Sequence, residues 1–144
     1  MFDDRIPTGP LVIGHRGASA DHPENTVAAF RGAIDQGADW VELDVRRNHA
    51  DELLVRHDPL FGDGRSVWGV ALSDAPAGTV DLERALNACA PMGINIEIKN
   101  SPGDLADAPY DLDVADLVVG LVRSRRDAGI PERVLISSFD LPTL

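Results

Sequence analysis

Trp40-Val41-Glu42-Leu43-Asp44-Val45 is the stretch whose reading decides the fold. Successive side chains of an extended strand point to opposite faces, so Glu42 and Asp44 share one face while Val41, Leu43 and Val45 share the other. Two carboxylates on one side of an otherwise apolar strand require a counter-ion. Downstream, Leu53-Leu54-Val55 is again extended, and the interval between Asp44 and His57 is too short for a helical crossover to a parallel strand. The economical solution is a hairpin turning near Ala50-Asp51, which brings His57 back to about the level of Asp44.

Upstream, Leu11-Val12-Ile13 reads as a short buried strand closed by Gly14, with His15 at its C-terminal end. Asn25 has the character of an N-cap for a helix over 26–36, whose Val27, Phe30 and Ile34 form an apolar face and which Gly37 ends. Beyond the hairpin, residues 59–78 are rich in Gly, Pro, Asp and Ser and read as a long loop, with Phe61 and Trp68 either pinning it or walling a ligand. A helix over 82–90 stops at Pro91-Met92-Gly93, and a strand over 94–98 follows. In that strand Asn95, Glu97 and Lys99 point one way and Ile94, Ile96 and Ile98 the other. A helix over 114–128, ended by Gly129, and a strand over 133–138 complete the pattern. The order β-α-β-hairpin-α-β-α-β is the alternation of a parallel α/β sheet.

The 144 residues suffice for one domain with a true core, and no apolar run approaches the ~18 residues of a membrane span. A net charge of −11 argues against nucleic acid as a partner, so an anionic ligand has to be drawn by local cations. Cys89 is the only cysteine, which rules out an internal disulfide, and it sits in the apolar stripe of a helix as a buried thiol. The opening Met1-Phe2-Asp3-Asp4-Arg5-Ile6-Pro7 lacks the features of a secretory leader, which makes the cytoplasm the expected location.

Seven side chains at or just beyond strand ends carry chemistry. Glu42, Asp44 and Glu97 offer hard oxygen ligands suited to Mg2+ or Ca2+; their other reading is as acids paired with Arg46 and Arg47. Imidazole as a chemical group titrates near neutral pH, so histidines such as His15 and His57 suit proton transfer at a phosphorus centre. Arg16 and Lys99 suit non-bridging phosphate oxygens, with Lys99 alternatively a salt-bridge partner of the carboxylates. Glu24 and Asn25 read mainly as helix-start residues, Glu24 with a second use in holding Arg16 or the metal shell. Asp58 and Asn100 are candidates to support a histidine or a metal ligand, whereas His22 and His49 read as loop residues.

With these residues placed, the chain resembles the first half of the glycerophosphodiester phosphodiesterase family, related to phosphoinositide-specific phospholipases C. The motifs that carry the likeness are Gly14-His15-Arg16-Gly17-Ala18, Pro23-Glu24-Asn25-Thr26, Glu42-Leu43-Asp44-Val45, His57-Asp58-Pro59, Asn95-Ile96-Glu97-Ile98-Lys99 and Ser137-Ser138-Phe139. The resemblance implies a (β/α)8 barrel with its chemistry at the C-terminal ends of the strands. It also implies metal-dependent hydrolysis of a small glycerophosphodiester to glycerol 3-phosphate and an alcohol. On this likeness Glu42, Asp44 and Glu97 hold the metal, Arg16 and Lys99 hold phosphate, and His15 and His57 move protons. Complete barrels of this type run to about 250 residues, so the expectation is a domain over 1–144 holding four βα units, with self-association or a further C-terminal half to complete it. The other reading is a non-catalytic half-barrel that binds metal or phosphate, or a hydrolase of another phosphodiester.

Overall fold

The computed structural model describes residues 9–104, 108–110, 112–130 and 133–144. The opening residues read above for a leader lie outside these. Five strands, β1 (Ile13–His15), β2 (Trp40–Arg47), β3 (Leu53–Val55), β4 (Gly93–Ile98) and β5 (Val134–Ser138), form one sheet. Strands β1, β2, β4 and β5 are adjacent and parallel in that order, and β3 runs antiparallel on β2. Helices α1 (Val27–Asp35), α2 (Leu82–Cys89) and α3 (Asp113–Asp127) form the crossovers.

The alternation read from sequence becomes a physical separation of faces. Val41, Leu43 and Val45 of β2 and Ile94, Ile96 and Ile98 of β4 are almost fully buried in one core with Phe30 of α1, Leu82 and Leu86 of α2, and Val114 and Val118 of α3. The paired positions on the opposite face are His15 with Glu42, Glu42 with Asn95, Asp44 with Glu97, and Glu97 with Ser137. Parallel pairing aligns these residues in rows, so every polar group of the rim is set by register. Cys89 is fully buried, as its helical stripe implies.

Helix starts follow side-chain chemistry. The Asp81 carboxylate accepts from the Arg84 N–H at 2.7 Å to open α2, and α3 carries Asp113 and Asp116 in its first turn and Arg125 and Arg126 in its last, matching the helix dipole. The hairpin turns where expected, with Asp51 at φ 60°, and buried Asn48 organises it by accepting from the N–H groups of Ala50 and Glu52 at 3.0 and 2.9 Å. Phe61 pins the long loop in a second cluster with Leu54, Val67 and Val70, which excludes it as a ligand wall. Trp68 lies beneath the Arg47 guanidinium, 5.3 Å from its ring centre.

Three expectations are corrected. The cap of α1 is Thr26, whose hydroxyl accepts from the Ala29 N–H at 3.2 Å; Asn25 precedes it in a left-handed conformation, φ 57°. Leu11, Val12 and Ile13 are 42%, 59% and 52% exposed rather than buried, because β1 begins only at Ile13 and pairs on one side alone among the described residues. Finally, the β2–β3 register pairs Val45 with Val55, so it is Arg56 that stands opposite Asp44, donating its N–H to the Asp44 carbonyl at 2.9 Å. His57 follows one residue later.

Candidate active site

Strand β2 delivers Glu42 and Asp44, and its neighbour β4 delivers Glu97, with one oxygen from each lying within 4.8 Å of the others. Asp44 is fully buried and Glu42 nearly so. The crowding of Asp44 and Glu97 around Glu42 adds to the cost of ionising Glu42. Burial, and then the neighbouring charge of Asp44, push the Glu42 carboxyl up to about 7, against the pull of a hydrogen bond from the Arg16 backbone. Glu42 Oε1 is buried without a hydrogen-bond partner among the described residues. An orphaned carboxylate oxygen beside two further acids fits a hard divalent cation, whose ligands are oxygens of this kind.

Two fixed cations border the cluster. Arg16, in a left-handed conformation at φ 59°, donates its backbone N–H to the Glu42 carbonyl at 2.9 Å and to Glu42 Oε2 at 3.0 Å. Its guanidinium Nη1 contacts both Glu24 oxygens at 3.2 and 3.0 Å, and its Nε lies 3.2 Å from Asp44 Oδ2. Glu24 therefore holds Arg16 rather than the carboxylate cluster. The Lys99 ammonium bonds Glu97 Oε1 and lies 3.2 Å from Asp44 Oδ1. Burial by itself would lower its pKa, but the hydrogen bonds to Glu97 and Asp44 outweigh that and hold it above the ordinary lysine range.

The histidines sit at the margin. His15 Nε2 is 3.8 Å from Glu42 Oε2, and its side chain is 68% exposed. His57 Nδ1 is 2.8 Å from Asp58 Oδ1, while Arg46 Nε donates to the His57 carbonyl at 2.8 Å and fixes its backbone. The bond to His57 lowers the Asp58 carboxyl below its usual range. Beside His57 opens a cavity of about 350 Å³ whose lining includes Glu24, Asn25, Thr26, Arg56 and Thr79. The Asn100 amide donates to Thr143 Oγ1 at 3.0 Å.

The raised Glu42 carboxyl has a thermodynamic consequence. A group whose folded pKa lies above its unfolded value contributes stability below the unfolded value, and that contribution is lost as pH rises through the folded one. With a chelator present, the thermal midpoint should fall between pH 5 and pH 8 through ionisation of Glu42. Saturating divalent cation should flatten the slope, and Glu42→Gln should remove most of it. Thermal unfolding across this range, with an unchanged slope in Glu42→Gln, would refute the assignment.

Sequence reasoning misplaced one participant. Asn25 is buried, and its amide nitrogen donates to Asp44 Oδ2 at 2.9 Å. The available signal was the adjacent Thr26, itself a competent cap, which frees Asn25 for other work.

Comparison with known proteins bears on the family and the fold. The model of the glycerophosphoryl diester phosphodiesterase family matches residues 15–144. A glycerophosphodiester phosphodiesterase of Caldanaerobacter subterraneus is 54% identical over 48 residues, 33% of this chain and 20% of that protein. The crystal structure of a glycerophosphodiester phosphodiesterase from Thermotoga maritima superposes with a TM-score of 0.77 at 29% identity, over 96% of this chain and 58% of the other. A phosphodiesterase from Oleispira antarctica, solved with its product sn-glycerol-3-phosphate, gives 0.79 at 25% identity, over 93% and 59%. The chain thus spans well under two thirds of these solved proteins, and its sheet matches part of their TIM barrel. With 130 consecutive positions matched by the family model, from His15 to Leu144, the chain belongs to the glycerophosphoryl diester phosphodiesterase family.

Proposed function

We propose that the site serves metal-dependent hydrolysis of a glycerophosphodiester to glycerol 3-phosphate and an alcohol, with Glu42, Asp44 and Glu97 holding Mg2+ or Ca2+. The observation that carries the reading is the orphaned, buried Glu42 Oε1 within a three-carboxylate cluster flanked by Arg16 and Lys99. A bound divalent cation would supply positive charge and Lewis acidity at the cluster. Arg16 and Lys99 hold non-bridging phosphate oxygens, whose charge grows toward the pentavalent transition state. The 2.8 Å contact between His57 Nδ1 and Asp58 Oδ1 orients the ring for proton transfer through Nε2. One of His15 and His57 accepts the proton of the attacking oxygen, and the other protonates the leaving alkoxide. The substrate is a small soluble diester, in keeping with the net charge of −11, and no helix among the described residues is long and apolar enough to cross a membrane.

The fold reading is that the four parallel strands and three crossover helices of the described residues form part of a (β/α)8 barrel. Its support is the 58% coverage of the Thermotoga structure together with the exposed β1 edge. The wall opposite the site is then completed by further strands of the chain or by self-association.

The test is release of glycerol 3-phosphate from glycerophosphocholine with and without chelator, by this chain, by its His15→Ala variant and by a chain extended through four more βα units. Chelator-sensitive release that disappears in His15→Ala supports the proposal. Cation uptake without turnover in either length would favour a binding module instead.

A further inference from the structure

We propose that Asn25 is a positioning residue for the candidate cation site, setting the orientation of the Asp44 carboxylate; the inference rests on the site reading above. Its basis is a break in the sheet. On one side of β2, β1 pairs only as far as Glu42, and β3 takes over only at Val45. Asp44 falls between them with its N–H directed at neither strand. Asn25 Oδ1 accepts that N–H at 3.3 Å while Asn25 Nδ2 donates to Asp44 Oδ2 at 2.9 Å. One amide thus grips both the backbone and the side chain of the same residue.

The arrangement limits which residue can stand at position 25. The left-handed backbone, φ 57°, favours Gly, Asn or Asp, and its own N–H donates to the Arg16 carbonyl at 3.0 Å. Gly has no amide, and an ionised Asp cannot donate to a carboxylate. Asn alone among the three meets the backbone and both hydrogen bonds. Because Nδ2 engages Oδ2, the other oxygen, Oδ1, is left on the side where Lys99 approaches. Partners of this kind orient ligating carboxylates, and their loss typically weakens metal affinity by roughly 10–100-fold.

A purely structural Asn25 would predict something different from an orienting one. Mg2+ demands near-ideal octahedral geometry, whereas Ca2+ tolerates a flexible shell, so a loosened Asp44 should penalise Mg2+ more. The experiment is titration calorimetry with Mg2+ and with Ca2+ on the wild-type protein and on Asn25→Gly, which keeps the left-handed backbone without strain. Thr26→Ala is the control, since it removes the α1 cap and lowers stability without touching Asp44. Asn25→Ser, whose hydroxyl is too short to hold the carboxylate, replaces the glycine variant if that one fails to fold.

The expected result is Mg2+ affinity lowered about tenfold or more in Asn25→Gly, a smaller loss for Ca2+, and wild-type affinities in Thr26→Ala. Wild-type affinities for both ions in the Asn25 variants, or equal losses in Thr26→Ala, would overturn the positioning role while leaving the cation site standing. A wild-type protein that takes up neither ion overturns both.

Discussion

Asp44→Asn should lower phosphodiesterase turnover by at least about a thousandfold, the scale set by losing several kcal/mol of metal-derived charge stabilisation, and should remove measurable Mg2+ or Ca2+ uptake. Asparagine has nearly the same volume, so the fully buried position stays filled. The neighbouring cations keep partners: Arg16 retains Glu24 and Lys99 retains Glu97. Removing one of three crowded negative charges also relieves the repulsion that contributes to raising the Glu42 carboxyl. The variant should therefore fold with an unchanged circular dichroism spectrum, which separates loss of chemistry from loss of structure. Turnover within tenfold of wild type would show that Asp44 is not a ligand.

The second large effect is at His57. Its replacement by alanine should reduce turnover by roughly 10²–10⁴-fold, the usual contribution of a positioned general acid or base, with little change in cation affinity. The side chain is about one-third exposed and its polar contact is with Asp58, so truncation should cost little stability. Asp58→Asn should fall between wild type and His57→Ala, because the ring keeps its place but its partner is no longer an acceptor-only carboxylate and so no longer fixes the tautomer. Turnover and calorimetry on the same samples check this. A fall in cation affinity parallel to the fall in turnover would instead put His57 among the metal ligands.

How much of this was legible in sequence follows from what strand periodicity encodes. Alternation in β2 and β4 specifies which residues share a face, Glu42 with Asp44 in one strand and Asn95 with Glu97 in the other. Parallel register then places Asp44 beside Glu97. Periodicity carries no information about a strand's neighbours, so the apolar Leu11-Val12-Ile13 reads as interior although it borders an open edge. Hairpin symmetry located the turn at Asp51, yet a one-residue shift in register put Arg56 rather than His57 opposite Asp44. Asn25 was misread for a different reason. Its cap propensity is genuine, but Thr26 satisfies the helix, and the demand that claims the Asn25 amide is made by a residue on another strand. Local signals cannot report a partner nineteen residues away.

The most direct test of the central claim, that three acids from two adjacent strands grip one divalent cation, is anomalous diffraction from a crystal of the protein equilibrated with Mn2+, an oxygen-seeking stand-in for Mg2+. The account predicts one strong anomalous peak at roughly 2.0–2.4 Å from oxygens of Glu42, Asp44 and Glu97. A peak bound by other residues, or none at this cluster at saturating Mn2+, would contradict it.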